Sequence, residues 1–337
     1  MKFTEQAFVF PCAGENLLGI VVSPSGKAAR KGVLIIVGGP QYRAGSHRQF
    51  VLLSRTLAEA GYPAMRFDYR GMGDSTGEIR NFEHINADIA AAINAFMASC
   101  PHLQQIVLCG LCDAASANLL YWDATQDHRV TGMVMLNPWV RTEAGLAKAH
   151  LKHHYGQRLL QADFWRKLLT GNLALGRSLT GFIASIRAAR QTSTLSSDDQ
   201  PLPFQKRMAR GLERFRGSAL VILSGNDFTA REFAEALKTD RAWQASLQRG
   251  HATFVAIDDA DHTFSSTAWR NCVATAVTDW LQREDSGSRR EEPREPVLTR
   301  SLTSVIGLVQ RLVSSGSIVK SPAVVGRRSR GNRQGRD

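Results

Sequence analysis

No stretch of this sequence has the length and apolar purity of a membrane-spanning helix. Met1 to Phe10 lacks the continuous apolar core of a signal peptide and reads as an edge strand. Cysteine is sparse: five in 337 residues, odd in number and scattered, which argues against a disulfide framework and for a reducing compartment. Also missing is any recognised nucleic-acid-binding motif, although the formal net charge is +12. The excess of Lys and Arg falls in two segments, Arg141 to Arg216 and Glu284 to Asp337, and the rest is close to neutral. These absences predict a soluble, cytoplasmic protein with no nucleic-acid partner.

What remains is a chain 43% hydrophobic, long enough for one large domain with a sizeable core. Phe8 to Phe10 and Leu17 to Val22 read as strands around a turn at Gly14-Glu15-Asn16. Val33 to Val37, Pro63 to Phe67, Ile106 to Cys109 and Val130 to Leu136 read as buried strands. Between them lie helical patterns: one capped by Ser46 with Phe50, Leu53 and Leu57 on a face, and one over Ile85 to Met97. After Trp139 the strand pattern stops until Ala219, too long a gap for a plain loop. Residues 139–217 are therefore expected to form a basic helical cap inserted into one domain, residues 1–283. The alternation then resumes with a strand at Ala219 to Ser224, a helix at Glu232 to Leu247, a strand at Thr253 to Ile257 and a helix at Thr267 to Leu281. Such alternation predicts an α/β fold with a mostly parallel sheet, right-handed crossovers and helices on both faces.

The stretch Gly110-Leu111-Cys112-Asp113-Ala114 joins a buried strand to a helix. Its pattern is that of a nucleophile elbow, with Cys where Ser is commoner and Ala in place of the second Gly. Ligands of an α/β sheet sit beyond the carboxyl ends of its strands. Asp227 follows the strand after the cap and His262 follows the last strand. Nucleophile, acid, base is the chain order of α/β-hydrolases. Cys112 would attack, His262 would take its proton, and Asp227 would orient the imidazole. Asp258, Asp259 and Asp261 are rival acids, better suited to bonds within their own loop. For the oxyanion, the Asp113 N–H and the Gln41 N–H are the expected donors, because Pro40 has no N–H.

Other readings compete. Cys109-Gly110-Leu111-Cys112 is also a C-x-x-C of the thioredoxin kind, although Cys109 lies within the strand. A zinc site lacks a second pair of ligands, and neither metal nor cofactor is expected. Arg43, His47, Arg48, Trp139 and Arg141 are candidate substrate contacts, the cations for an anionic group. His150, His153 and His154 with Lys148 and Lys152 are a weaker set of the same kind. Asp68 to Ser75 is expected to build a structural turn beside the site.

Four blocks together resemble one family. They are Gly38-Gly39-Pro40-Gln41-Tyr42-Arg43 with Gly45 to Phe50, then Arg66 to Ser75, Gly110 to Ser116, and Leu136 to Arg141. They resemble the exosortase A system-associated hydrolase 1 family, with similarity running from about Phe8 to Leu281. The resemblance implies an α/β-hydrolase that accompanies bacterial machinery for sorting C-terminally tagged proteins and making exopolysaccharide.

The expected function is hydrolysis of an ester or thioester, with an anionic acyl substrate possible, through an acyl group carried on Cys112. Acyl transfer from the same thioester is the alternative, as in polyhydroxyalkanoate synthases, which resemble this arrangement. A non-catalytic or redox role is the second alternative. Residues 284–337 read as a basic, disordered tail. Within it, Leu298, Leu302, Val305, Val309 and Leu312 at helical spacing could contact a membrane surface or a partner.

Overall fold

The computed structural model describes residues 2–39, 41–141, 202–247, 252–286 and 299–300. The N-terminal residues make a hairpin, β1 (Phe3–Cys12) and β2 (Glu15–Pro24), each longer than its apolar run implies. Ala13 and Gly14 both take positive φ, 49° and 87°, as a two-residue hairpin turn requires. Then follow β3 (Lys31–Ile36), α1 (Gln49–Glu59), β4 (Ala64–Phe67), α2 (Asn86–Ser99), β5 (Gln105–Leu111), α3 (Asp113–Thr125) and β6 (Val130–Leu136). After residue 202 come α4 (Phe204–Arg214), β7 (Ser218–Ser224), α5 (Phe228–Thr239), α6 (Arg241–Leu247), β8 (Ala252–Ile257), α7 (Thr267–Ser286) and β9 (Thr299–Arg300).

The strands form one sheet in the order β1-β2-β4-β3-β5-β6-β7-β8-β9. From β4 to β8 every pairing is parallel, and the edges are antiparallel. Central strands are buried on both faces, which explains their unbroken Val, Leu and Ile runs. Alternation divides each strand between two cores. Leu34, Ile36, Leu108 and Met135 pack with Ile93, Phe96, Leu119 and Phe233 of α2, α3 and α5. Val33, Ile35, Val107 and Val134 pack with Leu53, Leu57, Val277 and Trp280 of α1 and α7. This is the α/β-hydrolase architecture.

Two expectations need correction. Ser46 does not cap α1: it begins a single 3-10 turn, and its N–H and hydroxyl both donate to Gln41 Oε1 at 3.1 Å. The helix expected over Glu232 to Leu247 begins earlier, at Phe228, and is broken at Asp240. There the backbone is extended and the carboxylate accepts from Ala242 N–H, starting α6. Within the span expected for the cap, α4 packs on α3. A Cβ on Gly211 would stand 2.6 Å from Leu119 O, and Arg210 pairs in bidentate fashion with Asp123. What else was expected of the cap, the histidine cluster included, lies outside the described residues. Helix α7 continues to Ser286, and Asp285 accepts from Lys31 Nζ and Tyr62 Oη. In the tail, Thr299 and Arg300 pair with Val255 and Phe254, and the expected amphipathic helix otherwise lies outside the described residues. No described helix is long and apolar enough to cross a membrane.

Candidate active site

Cys112 stands between β5 and α3 with φ 62° and ψ −122°. For a residue with a Cβ this backbone is strained and persists only where its surroundings fix it. They do so here on several sides. Cys112 N–H donates to Leu136 O at 2.9 Å, and Cys112 O accepts from the N–H groups of Ser116 and Trp139, both at 3.2 Å. Ser116 Oγ then donates to Trp139 O at 2.6 Å, lashing α3 to the segment after β6. The helix turns back so tightly that a Cβ on Gly110 would lie 2.6 Å from the Ala114 carbonyl carbon.

His262 and Asp227 meet beside the thiol. His262 Nδ1 lies 2.9 Å from Asp227 Oδ2. Asp227 is buried and doubles as the N-cap of α5, accepting from Thr229 and Ala230 N–H. These bonds hold the carboxylate still while leaving it able to accept from the imidazole. The hydrogen bond to Asp227, and next that to Cys112, push His262 from 6.5 up to about 10, against the opposing effect of burial. Asp261, the rival acid, is spent on its own loop, accepting from Thr263 N–H, Ser265 N–H and Ser265 Oγ. Cys112, Asp113, His262, Gln41, Phe82, Trp139 and Thr263 share a pocket of about 300 Å³.

Asn137, which the sequence shows only within the Leu136 to Arg141 block, has a structural role at the site. Fully buried at φ 43°, Asn137 donates through Nδ2 to Ser224 Oγ (2.8 Å) and His262 O (3.0 Å). Its Oδ1 accepts from Ser224 N–H at 2.8 Å, and Ser224 Oγ donates to Asp261 O. One amide therefore joins the ends of β6 and β7 to the loop carrying His262. The available signal was an Asn-Pro ending a buried strand.

Residues 28–239 match the sequence profile of a family described as serine aminopeptidase, S33. The chain belongs to this family. Among curated proteins none matches the sequence significantly. Solved structures agree on the fold. An esterase of Pyrococcus furiosus is 15% identical at TM-score 0.56, over 83% of this chain and 91% of its own. Est1E of Butyrivibrio proteoclasticus, solved with ferulic acid, is 15% identical at TM-score 0.54, over 83% and 100%. A thermophilic esterase of Thermogutta terrifontis, solved with malate, is 18% identical at TM-score 0.50, over 83% and 99%.

The cysteine at the apex stands apart from the serine in the family's description, and the loop after β3 is tied to the elbow. Gly39 N–H does not point at open space: it donates to Asp113 Oδ2 at 3.0 Å, and a Cβ on Gly38 would strike Asp113 Oδ1. The Gln41 N–H, expected as an oxyanion donor, is taken up by Gly39 O at 2.8 Å. The Gln41 side chain still borders the pocket, its Oε1 fixed by Ser46, which leaves the Nε2 donor. Burial raises the pKa of the Asp113 carboxyl, while the Gly39 and Ala114 N–H groups work in the other direction.

The expected cationic contacts are not free cations of the pocket. Arg43 pairs with the fully buried Asp68 carboxylate (2.5 Å) and with Asp74 (2.8 Å), building the turn predicted for Asp68 to Ser75. Arg141 pairs with Glu232 through Nε and lies 4.9 Å from the ring centres of both Trp139 and Phe228. It buttresses Trp139, and Trp139 alone of the two lines the pocket. His47 and Arg48 are exposed on the turn before α1, outside the pocket wall. Burial pushes the Cys109 thiol up to about 12, so it has little thiolate for a redox pair with Cys112. Among the described residues no group of three or more His, Cys, Asp or Glu is placed to hold a metal ion.

Proposed function

We propose that this protein is a hydrolase that cleaves a carboxylic ester or thioester through Cys112, His262 and Asp227. The observation that carries the reading is the strained elbow conformation of Cys112 beside a His262–Asp227 pair. A raised His262 pKa favours a thiolate–imidazolium pair. The thiolate adds to the substrate carbonyl carbon, and the resulting oxyanion is held by the Asp113 N–H and Gln41 Nε2. The imidazolium gives its proton to the departing alkoxide or thiolate. It then takes a proton from water as the hydroxide attacks the acyl-thioester, and the Cys112 thiolate leaves. The acid product carries the acyl group away.

The pocket wall carries no Lys or Arg among the described residues, so a neutral acyl group fits better than an anionic one. The five free thiols support the cytoplasmic reading, and the exosortase setting rests on the sequence blocks. The thiol at the apex favours a second reading, transfer of the acyl group to an alcohol or amine acceptor. Intact-mass spectrometry after mixing with p-nitrophenyl butyrate tests the chemistry. We expect a butyryl adduct on the wild type, none on Cys112→Ala, and turnover in that variant lower by at least about a hundredfold. Full turnover by Cys112→Ala would rule the mechanism out. Added hexan-1-ol that diverts product from butyrate to hexyl butyrate would favour transfer.

A further inference from the structure

Asp113 follows the nucleophile as the first residue of α3, and its backbone N–H is one donor of the proposed oxyanion hole. Its carboxylate belongs to the same pocket wall and reaches onto the loop after β3. Oδ2 accepts from Gly39 N–H and Oδ1 from Ala114 N–H, both at 3.0 Å. A Cβ on Gly38 would stand 1.9 Å from Oδ1, so loop and carboxylate meet with no slack between them. Among the described residues, Asp113 is the one side chain that hydrogen-bonds Gly38 or Gly39. The bonds continue along the loop. Gly39 takes φ 63°, a left-handed backbone that suits glycine, and its carbonyl accepts from Gln41 N–H at 2.8 Å. Gln41 Oε1 then accepts from Ser46 N–H and Oγ, which leaves Nε2 as the remaining donor of a side chain in the pocket wall.

A carboxylate in this place has an electrostatic cost, since its charge opposes both a thiolate and an oxyanion beside it. Geometry offsets that cost. On the acyl chemistry proposed for Cys112, we infer that Asp113 is a positioning residue as well as a donor. Through Gly39 its carboxylate sets the loop so that Gln41 Nε2 and the Asp113 N–H converge on one oxyanion. A single residue thereby supplies one half of the hole and aligns the other.

The test follows turnover of p-nitrophenyl butyrate by full-length variants. Asp113→Ala is expected to lower kcat at least about tenfold with KM nearly unchanged, because a misplaced donor is missed in the transition state. Asp113→Asn keeps an acceptor for Gly39 N–H and should recover most of that loss. Gln41→Leu should lower kcat as much as Asp113→Ala, and the double variant little further, because both act through one donor. Alkylation of Cys112 by iodoacetamide, read by peptide mass, forms no oxyanion and should change less than about twofold in Asp113→Ala. Undiminished kcat in Asp113→Ala, multiplied losses in the double variant, or an equal fall in alkylation would overturn the proposal. Deuterium exchange of a peptide spanning residues 33–41 reads the loop without any catalysis. It should speed up in Asp113→Ala, and unchanged exchange would also overturn the proposal. If the wild type forms no butyryl adduct, the hydrolase reading fails and the oxyanion role with it, while exchange still reports whether the carboxylate holds the loop.

Discussion

In the proposed mechanism the imidazole beside Cys112 carries the proton before any substrate arrives. The hydrogen bond to Asp227 is the first cause of the raised His262 pKa, with that to Cys112 second. Removing the Asp227 charge should therefore let the His262 pKa fall back toward 6.5. In Asp227→Asn the alkaline limb of kcat/KM is expected to move to lower pH, measured by a pH–rate profile with an activated ester. The stability consequence has a definite sign. A pKa raised on folding contributes stability that is complete below the unfolded value of 6.5 and is lost as pH rises through about 10. Melting temperatures of the wild type should fall across that window, and those of His262→Gln should fall less. The positions of Cys112, Asp227 and His262 were legible in the sequence because each follows a buried strand. The fate of the cations was not, because Arg43 and Arg141 find Asp68 and Glu232 only once distant segments are packed together.

At the level of elements, two buried polar joints hold the loops around the pocket. Asn137 ties β6, β7 and the His262 loop together. Asn137→Ala strands Ser224 N–H in the interior, a cost of about 1–3 kcal/mol. Urea unfolding should report that loss, and kcat should drop through a misplaced imidazole while KM changes less. The other joint is Arg70 with Asp88, which accepts from Arg70 N–H, Nε and NH2 at 2.7 to 2.9 Å, fully buried. Asp88→Ala leaves the guanidinium unpaired and should destabilise the fold by about 3–5 kcal/mol in the same assay. Strands were readable from sequence because burial on both faces makes them continuously apolar. Helix limits were less so. The break at Asp240 turns on a single side-chain bond to Ala242 N–H, and the place of α4 depends on the close approach of Gly211 to α3.

Across the whole molecule, the sheet carries chemistry at one end and divides its interior between two faces. The fold class followed from the alternation of strands and helices. A second cavity, of about 410 Å³, did not, since residues of α1 and α7 far apart in the chain line it and no motif marks it. Among the described residues Phe50 is the one side chain in the walls of both this cavity and the pocket of Cys112, and it is itself fully buried. Under the proposed ester chemistry this ring would set acyl length: short chains would stop against it, and a shorter side chain there would open a corridor past Leu53 and Phe264. Phe50→Leu is expected to raise the ratio of kcat/KM for p-nitrophenyl octanoate over acetate roughly tenfold, the scale of a few added methylene contacts. With that one change, the proposed hydrolase would come to measure out longer chains.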